Sequence, residues 1–263
     1  MKKFLVIGNP IEHSLSPKLQ NYWMKKYNIV GLYEKKKLSD YDLKNLVSDI
    51  RNQKLIGVNV TVPFKRKIIS YLDKLDLSAE KTQSVNTIYL KDNKVVGQNT
   101  DIDGFDRALK STKFEISGKK VFILGAGGVV PSIIAALNKM KVSKIIISNR
   151  TKQRANDLKD LFENIEIVDW GNVPDFDLII NSTSVGLNKN EEIDLDFSNV
   201  GKNKFFYDLI YNPKETNFLK SAKKQGNIVE NGKMMFIYQA SLAFEIWHGV
   251  LPEINDEVIK LIE

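Results

Sequence analysis

Short runs of strand-like composition alternate with helical stretches along most of the chain, and this alternation constrains the possible folds more than any other feature of the sequence. Strands that alternate with helices form mostly parallel α/β sheets. The 263 residues are enough for one large domain or two modest ones. We therefore predict an α/β fold, with strands near 3–7, 32–37, 56–62, 119–124, 144–148, 165–168, 177–181 and 205–209.

The first helix has a recognisable beginning and one apolar face. Ser16 is a suitable N-cap and Pro17 suits the first helical position, because the first N–H groups of a helix have no intrahelical partner. Apolar side chains then recur at helical spacing, and we expect the face that they form to be core: Leu19, Tyr22, Trp23 and Tyr27.

A hairpin interrupts the parallel pattern. Two extended segments between 85 and 99 flank the polar turn Lys91-Asp92-Asn93-Lys94, which predicts two antiparallel strands. The alternating pattern restarts at Lys119.

This interruption divides the chain into domains. We predict a first domain at 1–103 and a second at 104–235, with the boundary in a helix that begins around Gly104. The last segment, 236–263, is acidic and amphipathic, whereas the first domain is basic. We therefore expect the last helices to pack back on the first domain.

Composition excludes several classes of chemistry. The chain has no cysteine and two histidines, which excludes disulfides, Cys-based zinc sites, cysteine nucleophiles and His-rich clusters, so we predict no metal site. The net charge of +7 suits a small anionic ligand and is too mild to indicate nucleic-acid binding. The apolar run at 4–7 is too short for a signal peptide or a membrane span, so we expect a cytoplasmic protein with no membrane partner.

A glycine-rich turn directly follows the strand at 119–124. The turn reads Gly125-Ala126-Gly127-Gly128 and precedes a helical stretch at 133–140, which is the context that a dinucleotide-binding fingerprint requires. In such a loop the first glycine permits a tight turn, and the second lets the backbone approach a pyrophosphate at the helix N-terminus. Val130 stands at the third fingerprint position in place of Gly or Ala. The alternative is a glycine turn without a ligand.

The strand at 144–148 is followed by basic residues. NAD enzymes usually place an acid there for the ribose hydroxyls, whereas this chain has Arg150 and Arg154. Guanidinium groups bind phosphate in a fork and stack on aromatic rings, which suits the 2′-phosphate and adenine of NADP. The glycine turn and the arginines together predict NADP as the cofactor, with solvated arginines as the alternative.

Polar side chains follow the strands of the first domain at their carboxyl ends, where α/β sheets bind ligands. Asn59 and Thr61 share one face of the strand at 56–62, and Lys65 opens the next helix. Such groups would fit a small polyhydroxylated acid, although each residue alone also has a structural explanation as a cap, a turn residue or a solvated charge. The other members follow the first strand or bracket the hairpin: Ser14, Ser16, Asn86 and Asp101.

Together these motifs resemble those of the shikimate dehydrogenases, in family order and over essentially the whole chain. The most specific is Asn59-Val60-Thr61-Val62-Pro63-Phe64-Lys65. The resemblance implies an N-terminal α/β substrate domain, a Rossmann-like NADP-binding domain, and NADPH-dependent reduction of 3-dehydroshikimate to shikimate. The other motifs are Asn9-Pro10-Ile11-Glu12-His13-Ser14-Leu15-Ser16-Pro17, Val85-Asn86-Thr87, Asn99-Thr100-Asp101, Gly125-Ala126-Gly127-Gly128, Asn149-Arg150-Thr151, Asp208-Leu209-Ile210-Tyr211 and Tyr238-Gln239-Ala240.

The resemblance also implies roles for single residues. Lys65 and Asp101 would be the catalytic pair, and Ser14 and Ser16 would hold the substrate carboxylate. The rest of the substrate pocket would be lined by Asn59, Thr61, Asn86, Tyr211 and Gln239. The cofactor would be bound by Gly125, Ala126, Gly127, Gly128, Val129, Asn149, Arg150, Thr151 and Arg154, with Leu209 and Gly232 beside the nicotinamide. Leu77 and Thr82-Gln83-Ser84 depart from the family pattern, so the resemblance does not extend to the local cofactor contacts there, whereas the implied reaction is unaffected.

Other functions have weaker support. Tyr22 and Lys26 have the Tyr-x-x-x-Lys spacing of short-chain dehydrogenases, but they precede the glycine turn, whereas that family's pair follows it. A folate dehydrogenase has a similar two-domain plan, and quinate is an alternative substrate, although Ser16 is typical of the shikimate version. Lys65 with Asp101 argues against a non-catalytic NADP-binding regulator, and the lack of a basic-aromatic stripe argues against a nucleic-acid binder. We expect a small-molecule substrate and a monomer or homodimer.

Overall fold

The computed structural model describes residues 1–188 and 190–262. In chain order the strands are β1 (Lys2–Gly8), β2 (Gly31–Lys37), β3 (Gly57–Val60), β4 (Lys74–Leu75), β5 (Thr87–Lys91), β6 (Lys94–Gln98), β7 (Lys120–Leu124), β8 (Lys144–Ser148), β9 (Ile165–Val168), β10 (Leu178–Asn181), β11 (Phe205–Asp208) and β12 (Ile228–Asn231). The α-helices are α1 (Ser16–Lys26), α2 (Leu43–Arg51), α3 (Phe64–Lys67), α4 (Leu77–Thr82), α5 (Asp101–Ser111), α6 (Val130–Lys139), α7 (Lys152–Asn156), α8 (Asn217–Lys224), α9 (Lys233–His248) and α10 (Asp256–Leu261). Short 3₁₀ segments lie at Asp40–Asp42 and Ile68–Tyr71.

The described chain divides into two compact units. The first unit contains residues 1–104 and 237–263, and the second contains residues 105–236. The chain enters the second unit within α5 and leaves it within α9. The first unit is therefore discontinuous in sequence.

A mixed six-stranded sheet, with the order β2-β1-β3-β5-β6-β4, forms the first unit. β1 is parallel to β2 and β3, whereas β5 is antiparallel to β3 and β6. Asp92 and Asn93 turn the β5–β6 hairpin with φ angles of 48° and 59°, as a type I′ turn requires. Asn59 of β3 pairs with Val6 of β1 and Thr87 of β5. This register brings the carboxyl ends of β1 and β3 together with the beginning of β5.

Residues of α9 complete the core of the first unit. The Trp247 indole lies against Gly57 of β3, where a Cβ would come within 2.3 Å of the ring. Its Nε1 donates a hydrogen bond to the Ile88 carbonyl oxygen at 3.2 Å. Phe244 packs edge-on against Trp23 of α1 with ring centroids 5.7 Å apart, and both rings are fully buried. The predicted return of the last helices to the first domain is confirmed.

The second unit contains a fully parallel six-stranded sheet with the order β12-β11-β10-β7-β8-β9. The chain adds β8 and β9 on one side of β7 and then β10, β11 and β12 on the other. In such sheets ligands bind beyond the carboxyl ends of the strands where the order reverses, which here lies between β7 and β10. The core beneath includes Phe122, Phe176, Phe206 and Phe218.

The predicted fold class is confirmed, and each predicted strand is present with small shifts at its ends. The strand predicted at 56–62 ends at Val60, and the helix predicted to begin around Gly104 begins at Asp101. β12 was not predicted, because only its first two residues, Ile228 and Val229, are apolar and it lies at the edge of its sheet.

The prediction that Ser16 caps the first helix is wrong. Ser16 is the first residue of α1, Leu15 occupies the cap position, and no side chain makes a cap hydrogen bond there. Within the predicted apolar face, Leu19 and Trp23 are buried, whereas the two tyrosines are half-buried.

In the part of the chain that the structure describes, no helix combines the length and the apolar character needed to cross a membrane.

Candidate active site

Lys65 and Asp101 form a buried ion pair in the first unit. Lys65 lies in α3, directly after β3, and Asp101 is the first residue of α5. The Lys65 Nζ lies 2.5 Å from the Asp101 Oδ2, and the two side chains are 11% and 7% exposed. Because burial removes water from both charges, each depends on the other for compensation. The pair places an ammonium group, oriented by a carboxylate, at the ligand-binding edge of the sheet.

Asn86 connects this pair to the hairpin. Its Nδ2 donates to the Asp101 Oδ1 and the Thr100 Oγ1, both at 2.9 Å, while its Oδ1 accepts from the Thr100 N–H at 2.8 Å. The same Nδ2 lies 3.5 Å from the Gln239 Oε1 on α9. Asn86 therefore fixes the second oxygen of Asp101 and connects the pair to α9.

A second chain of hydrogen bonds leads from Asn86 to Tyr33. Asn59 donates through Nδ2 to the Asn86 carbonyl oxygen at 3.0 Å and to the Thr87 Oγ1 at 3.1 Å. Its Oδ1 accepts from the Tyr33 hydroxyl at 2.7 Å. Burial raises the pKa of Tyr33 well above its ordinary value, and the nearby Ser16 hydroxyl opposes that rise. The hydrogen bonds are continuous from Tyr33 to the ion pair.

Tyr33 belongs to the candidate site and was missed by sequence reasoning. It lies on β2, is 1% exposed, and its hydroxyl donates to the Asn59 Oδ1. An aromatic residue in a predicted strand is indistinguishable from ordinary core in the sequence. Its role depends on the register of β2 with β1, which places Tyr33 opposite Phe4.

Ser14 and Thr61 already use part of their hydrogen-bonding capacity within the protein. The Ser14 Oγ accepts from the Ser16 N–H at 3.3 Å, which leaves its own proton for another acceptor. The Thr61 Oγ1 donates to the Ile7 carbonyl oxygen at 2.8 Å, so it retains only acceptor capacity. Both residues are half-buried, beside the ends of β1 and β3. Tyr211 lies in the second unit, and the other predicted substrate residues lie in the first.

The glycine turn of the second unit has the geometry that its sequence predicts. Gly125 has a φ of +103°, and its N–H donates to the Ser148 carbonyl oxygen at 2.8 Å. A Cβ at Gly125 would come within 2.9 Å of the Ser182 Oγ, so only glycine fits there. At Gly127 a Cβ would meet, among the described residues, only the Ser182 carbonyl oxygen at 3.9 Å. The exposed backbone of Gly127 leaves room for a phosphate group before α6.

Asn149 joins this turn to the loop that follows β8. Its Oδ1 accepts from the Ala126 N–H at 3.2 Å, and its Nδ2 donates to the Thr151 carbonyl oxygen at 2.8 Å. Arg150 and Arg154 are exposed in this loop and in α7. The residues present therefore fit a dinucleotide with a 2′-phosphate, because an open glycine backbone and two guanidinium groups follow neighbouring parallel strands.

Leu209 and Gly232 are packed together beyond the ends of β11 and β12. A Cβ at Gly232 would come within 2.1 Å of the Leu209 carbonyl oxygen, and the Gly232 N–H donates to the Ile210 carbonyl oxygen at 3.2 Å. Tyr211 stacks on Phe236 with ring centroids 4.5 Å apart. The two residues predicted to neighbour the nicotinamide are thus in contact.

No group of three or more His, Cys, Asp or Glu side chains is arranged to hold a metal ion among residues 1–188 and 190–262.

The parallel sheet with its glycine turn and arginines, in the same chain as a buried lysine–aspartate pair, defines the class of nicotinamide dinucleotide-dependent oxidoreductases. Comparison with known proteins narrows this class. The protein-family model described as the shikimate dehydrogenase substrate binding domain matches residues 6–88. The family model described as shikimate / quinate 5-dehydrogenase matches residues 107–215.

Full-length relatives agree with these matches. The chain is 56% identical over 262 residues to a shikimate dehydrogenase (NADP(+)) of Pelagibacter ubique, covering 100% of this chain and 99% of that protein. The structure of the Aquifex aeolicus shikimate dehydrogenase matches with a TM-score of 0.90 at 34% identity, over 100% of this chain and 97% of that one. The Thermus thermophilus enzyme in complex with NADP(H) and shikimate matches with a TM-score of 0.90 at 30% identity, over 100% and 98%. The chain belongs to the shikimate dehydrogenase family, and it is an oxidoreductase.

Proposed function

We propose that Lys65 and Asp101 catalyse the reversible, NADPH-dependent reduction of 3-dehydroshikimate to shikimate, a step of aromatic amino acid biosynthesis. The observation that carries this assignment is the buried ion pair, in which the Lys65 Nζ lies 2.5 Å from the Asp101 carboxylate at the ligand-binding edge of the first unit. The chain's activity is that of its family, and its cofactor is NADP.

The ion pair supplies the proton chemistry of this reaction. When bound, NADPH supplies a hydride to the carbonyl carbon. The Lys65 ammonium stabilises the alkoxide oxygen that is left and donates the proton from its Nζ. Asp101 orients the ammonium and accepts a hydrogen bond from a substrate hydroxyl. The reverse reaction releases a proton, so its equilibrium moves toward oxidation as pH rises.

Polar residues of the first unit would bind the substrate. Ser14 and Ser16 would donate their hydroxyl protons to the carboxylate, since among the described residues the Ser14 Oγ accepts only from the Ser16 N–H and keeps its own proton for a ligand. Asn86 would contact a ring hydroxyl, because its amide also holds the Asp101 carboxylate. The other residues that we assign to the substrate are Asn59, Thr61 and Gln239 of the first unit and Tyr211 of the second.

The second unit would hold the dinucleotide. The pyrophosphate would lie against the backbone of Gly125, Ala126, Gly127, Gly128 and Val129, and the 2′-phosphate against Asn149, Arg150, Thr151 and Arg154. Leu209 and Gly232 would contact the nicotinamide. We accordingly assign residues 1–103 and 236–263 to substrate binding and catalysis, and residues 104–235 to NADP binding.

An absorbance assay with four substrate pairs tests this function. The purified chain is given shikimate or quinate, each with NADP⁺ or NAD⁺, and the formation of reduced nicotinamide is followed. We expect the highest kcat/KM for shikimate with NADP⁺. A preference for quinate would contradict the proposed substrate, and no turnover with any pair would contradict the proposed reaction.

We propose further that the enzyme is a cytoplasmic monomer or homodimer that binds no nucleic acid. Cell fractionation tests the location, light scattering after gel filtration tests the oligomeric state, and a filter-binding assay with duplex DNA and with RNA tests the last point.

A further inference from the structure

Asp208 is a fully buried carboxylate at the carboxyl end of β11, in the second unit. Its described partners are three hydrogen-bond donors and include no cation. The Oδ1 accepts from the Asn181 Nδ2 at 3.1 Å and from the Ile210 N–H at 3.0 Å, and the Oδ2 accepts from the Thr216 Oγ1 at 2.6 Å. A buried carboxylate without a cation is costly, so its retention needs an explanation.

The three donors belong to three different segments. Asn181 ends β10, Ile210 lies in the loop after β11, and Thr216 is the N-cap of α8, where its hydroxyl also accepts from the Leu219 N–H at 3.4 Å. Asp208 therefore fixes the end of β10, the loop after β11 and the start of α8 relative to one another.

The network continues into the loop that follows β10. The Asn181 Oδ1 accepts from the Thr183 N–H at 3.0 Å and from the Thr183 Oγ1 at 2.7 Å, and its Nδ2 also donates to the Val185 carbonyl oxygen at 3.2 Å. This loop contains Ser182, which lies against Gly125 of the glycine turn. One carboxylate thus organises the loop that follows β10 and the loop that follows β11.

Leu209 is held by the same arrangement. Its N–H donates to the Asn181 carbonyl oxygen at 3.0 Å, and its own carbonyl group is so close to Gly232 that no side chain fits there. The Gly232 N–H donates to the Ile210 carbonyl oxygen at 3.2 Å. The position of the Leu209 backbone therefore follows from the hydrogen bonds around Asp208.

We propose that Asp208 is a positioning residue: its carboxylate sets the backbone of Leu209 and Gly232 that receives the nicotinamide end of NADP, without touching the cofactor. This inference rests on the proposed function. A carboxylate accepts from all three partners, whereas an amide accepts only through its Oδ1, so its Nδ2 would reverse the hydrogen bond with the Thr216 Oγ1 and remove the proton acceptor of that hydroxyl. Burial raises the pKa of Asp208 to about 6, and the three hydrogen bonds oppose that rise, so the group is ionised at neutral pH.

The test compares Asp208→Asn with Asp106→Asn, which changes another buried carboxylate of the same unit, one that is paired with Lys110 and Lys139. Two ligands are titrated: NADPH, and adenosine 2′,5′-bisphosphate, which has the adenosine end and no nicotinamide. We expect Asp208→Asn to weaken NADPH by about threefold to tenfold while the bisphosphate affinity changes by less than about twofold, and kcat/KM for 3-dehydroshikimate to fall by about tenfold to a hundredfold. Asp106→Asn should leave the ratio of the two affinities unchanged.

Equal weakening of both ligands, or kcat/KM of Asp208→Asn within about threefold of the parent, would overturn the proposal. If Asp208→Asn does not fold, Thr216→Val and Thr216→Ser replace it, because serine retains the hydroxyl that donates to Asp208 and valine does not. We expect serine to keep the affinity ratio and valine to lose it, and equal behaviour of the two would count against the proposal. The ratio of the two affinities is measured without turnover. An inactive parent would therefore contradict the proposed function, and the titrations would still test the role of Asp208.

Discussion

Replacement of Lys65 by methionine separates the chemistry of the ion pair from its contribution to stability. Methionine keeps most of the length and the apolar stem of lysine and removes only the ammonium group. We expect turnover to fall by about 10² to 10⁴, the usual contribution of general acid–base catalysis, with little change in substrate affinity.

The same change should destabilise the first unit. Asp101 would lose a partner at 2.5 Å while its side chain stays 93% buried. Because water does not reach the carboxylate, breaking such a pair costs about 3 to 5 kcal/mol of unfolding free energy. The hydrogen bond from the Asn86 Nδ2, at 2.9 Å, offsets part of this cost.

A double variant distinguishes the two effects. Lys65→Met with Asp101→Asn removes the unpaired charge, so we expect it to regain most of the lost stability and none of the turnover. Lys67→Met is the matched control, because Lys67 lies in the same helix and pairs with Asp40 at the surface. The control should keep parental turnover and lose less than about 1 kcal/mol.

Urea unfolding and nicotinamide absorbance measure these quantities on the same preparations. Turnover of Lys65→Met within threefold of the parent, about 0.7 kcal/mol of barrier, would refute the assignment of Lys65 as proton donor. Recovery of turnover in the double variant would show that the loss came from instability rather than from chemistry.

Three further changes test other parts of the site. Arg150→Ala should weaken NADPH by about tenfold to a hundredfold and leave NADH nearly unchanged, measured as kcat/KM at fixed ionic strength; equal losses would contradict a contact with the 2′-phosphate. Ser14→Ala with Ser16→Ala should mainly raise the substrate KM, and thermal melting should show little loss of stability because Ser16 makes no helix-cap hydrogen bond; an unchanged KM would place the carboxylate elsewhere. Burial raises the pKa of Asp208 to about 6. Proton uptake by its carboxylate between about pH 6 and pH 4 therefore favours the folded state by about 3 kcal/mol. Urea unfolding of Asp208→Asn should lack this gain in stability as pH falls, and the same gain in the variant would contradict the raised pKa.

The sequence was sufficient for most of the fold because buried parallel strands are apolar on both faces. Phe122 and Ile146 lie in such strands, and both are buried as expected. β12 was not predicted because an edge strand needs fewer apolar residues than a central one. The ends of strands were predicted less accurately, since β3 ends at Val60 and does not continue to Pro63.

The site was less accessible to sequence reasoning where it depends on strand register. Lys65 and Asp101 belong to separate motifs, and only the folded sheet brings them within 2.5 Å. Ser16 was mistaken for a cap because a serine before a proline fits that role locally, whereas α1 already begins at Ser16 and Leu15 occupies the cap position. Long-range hydrogen bonds such as that between Lys65 and Asp101 leave no periodic signal.

The discontinuity of the first unit has a consequence for how the chain folds during synthesis. The second unit is contiguous in sequence, so all of its strands are synthesised before α9. The first unit cannot complete its core until Trp247 has been added, because that indole covers Gly57 and bonds to the Ile88 carbonyl group. Until then its sheet exposes apolar surface, and a chain truncated before α9 should be more sensitive to protease in residues 1–104 than in residues 105–232.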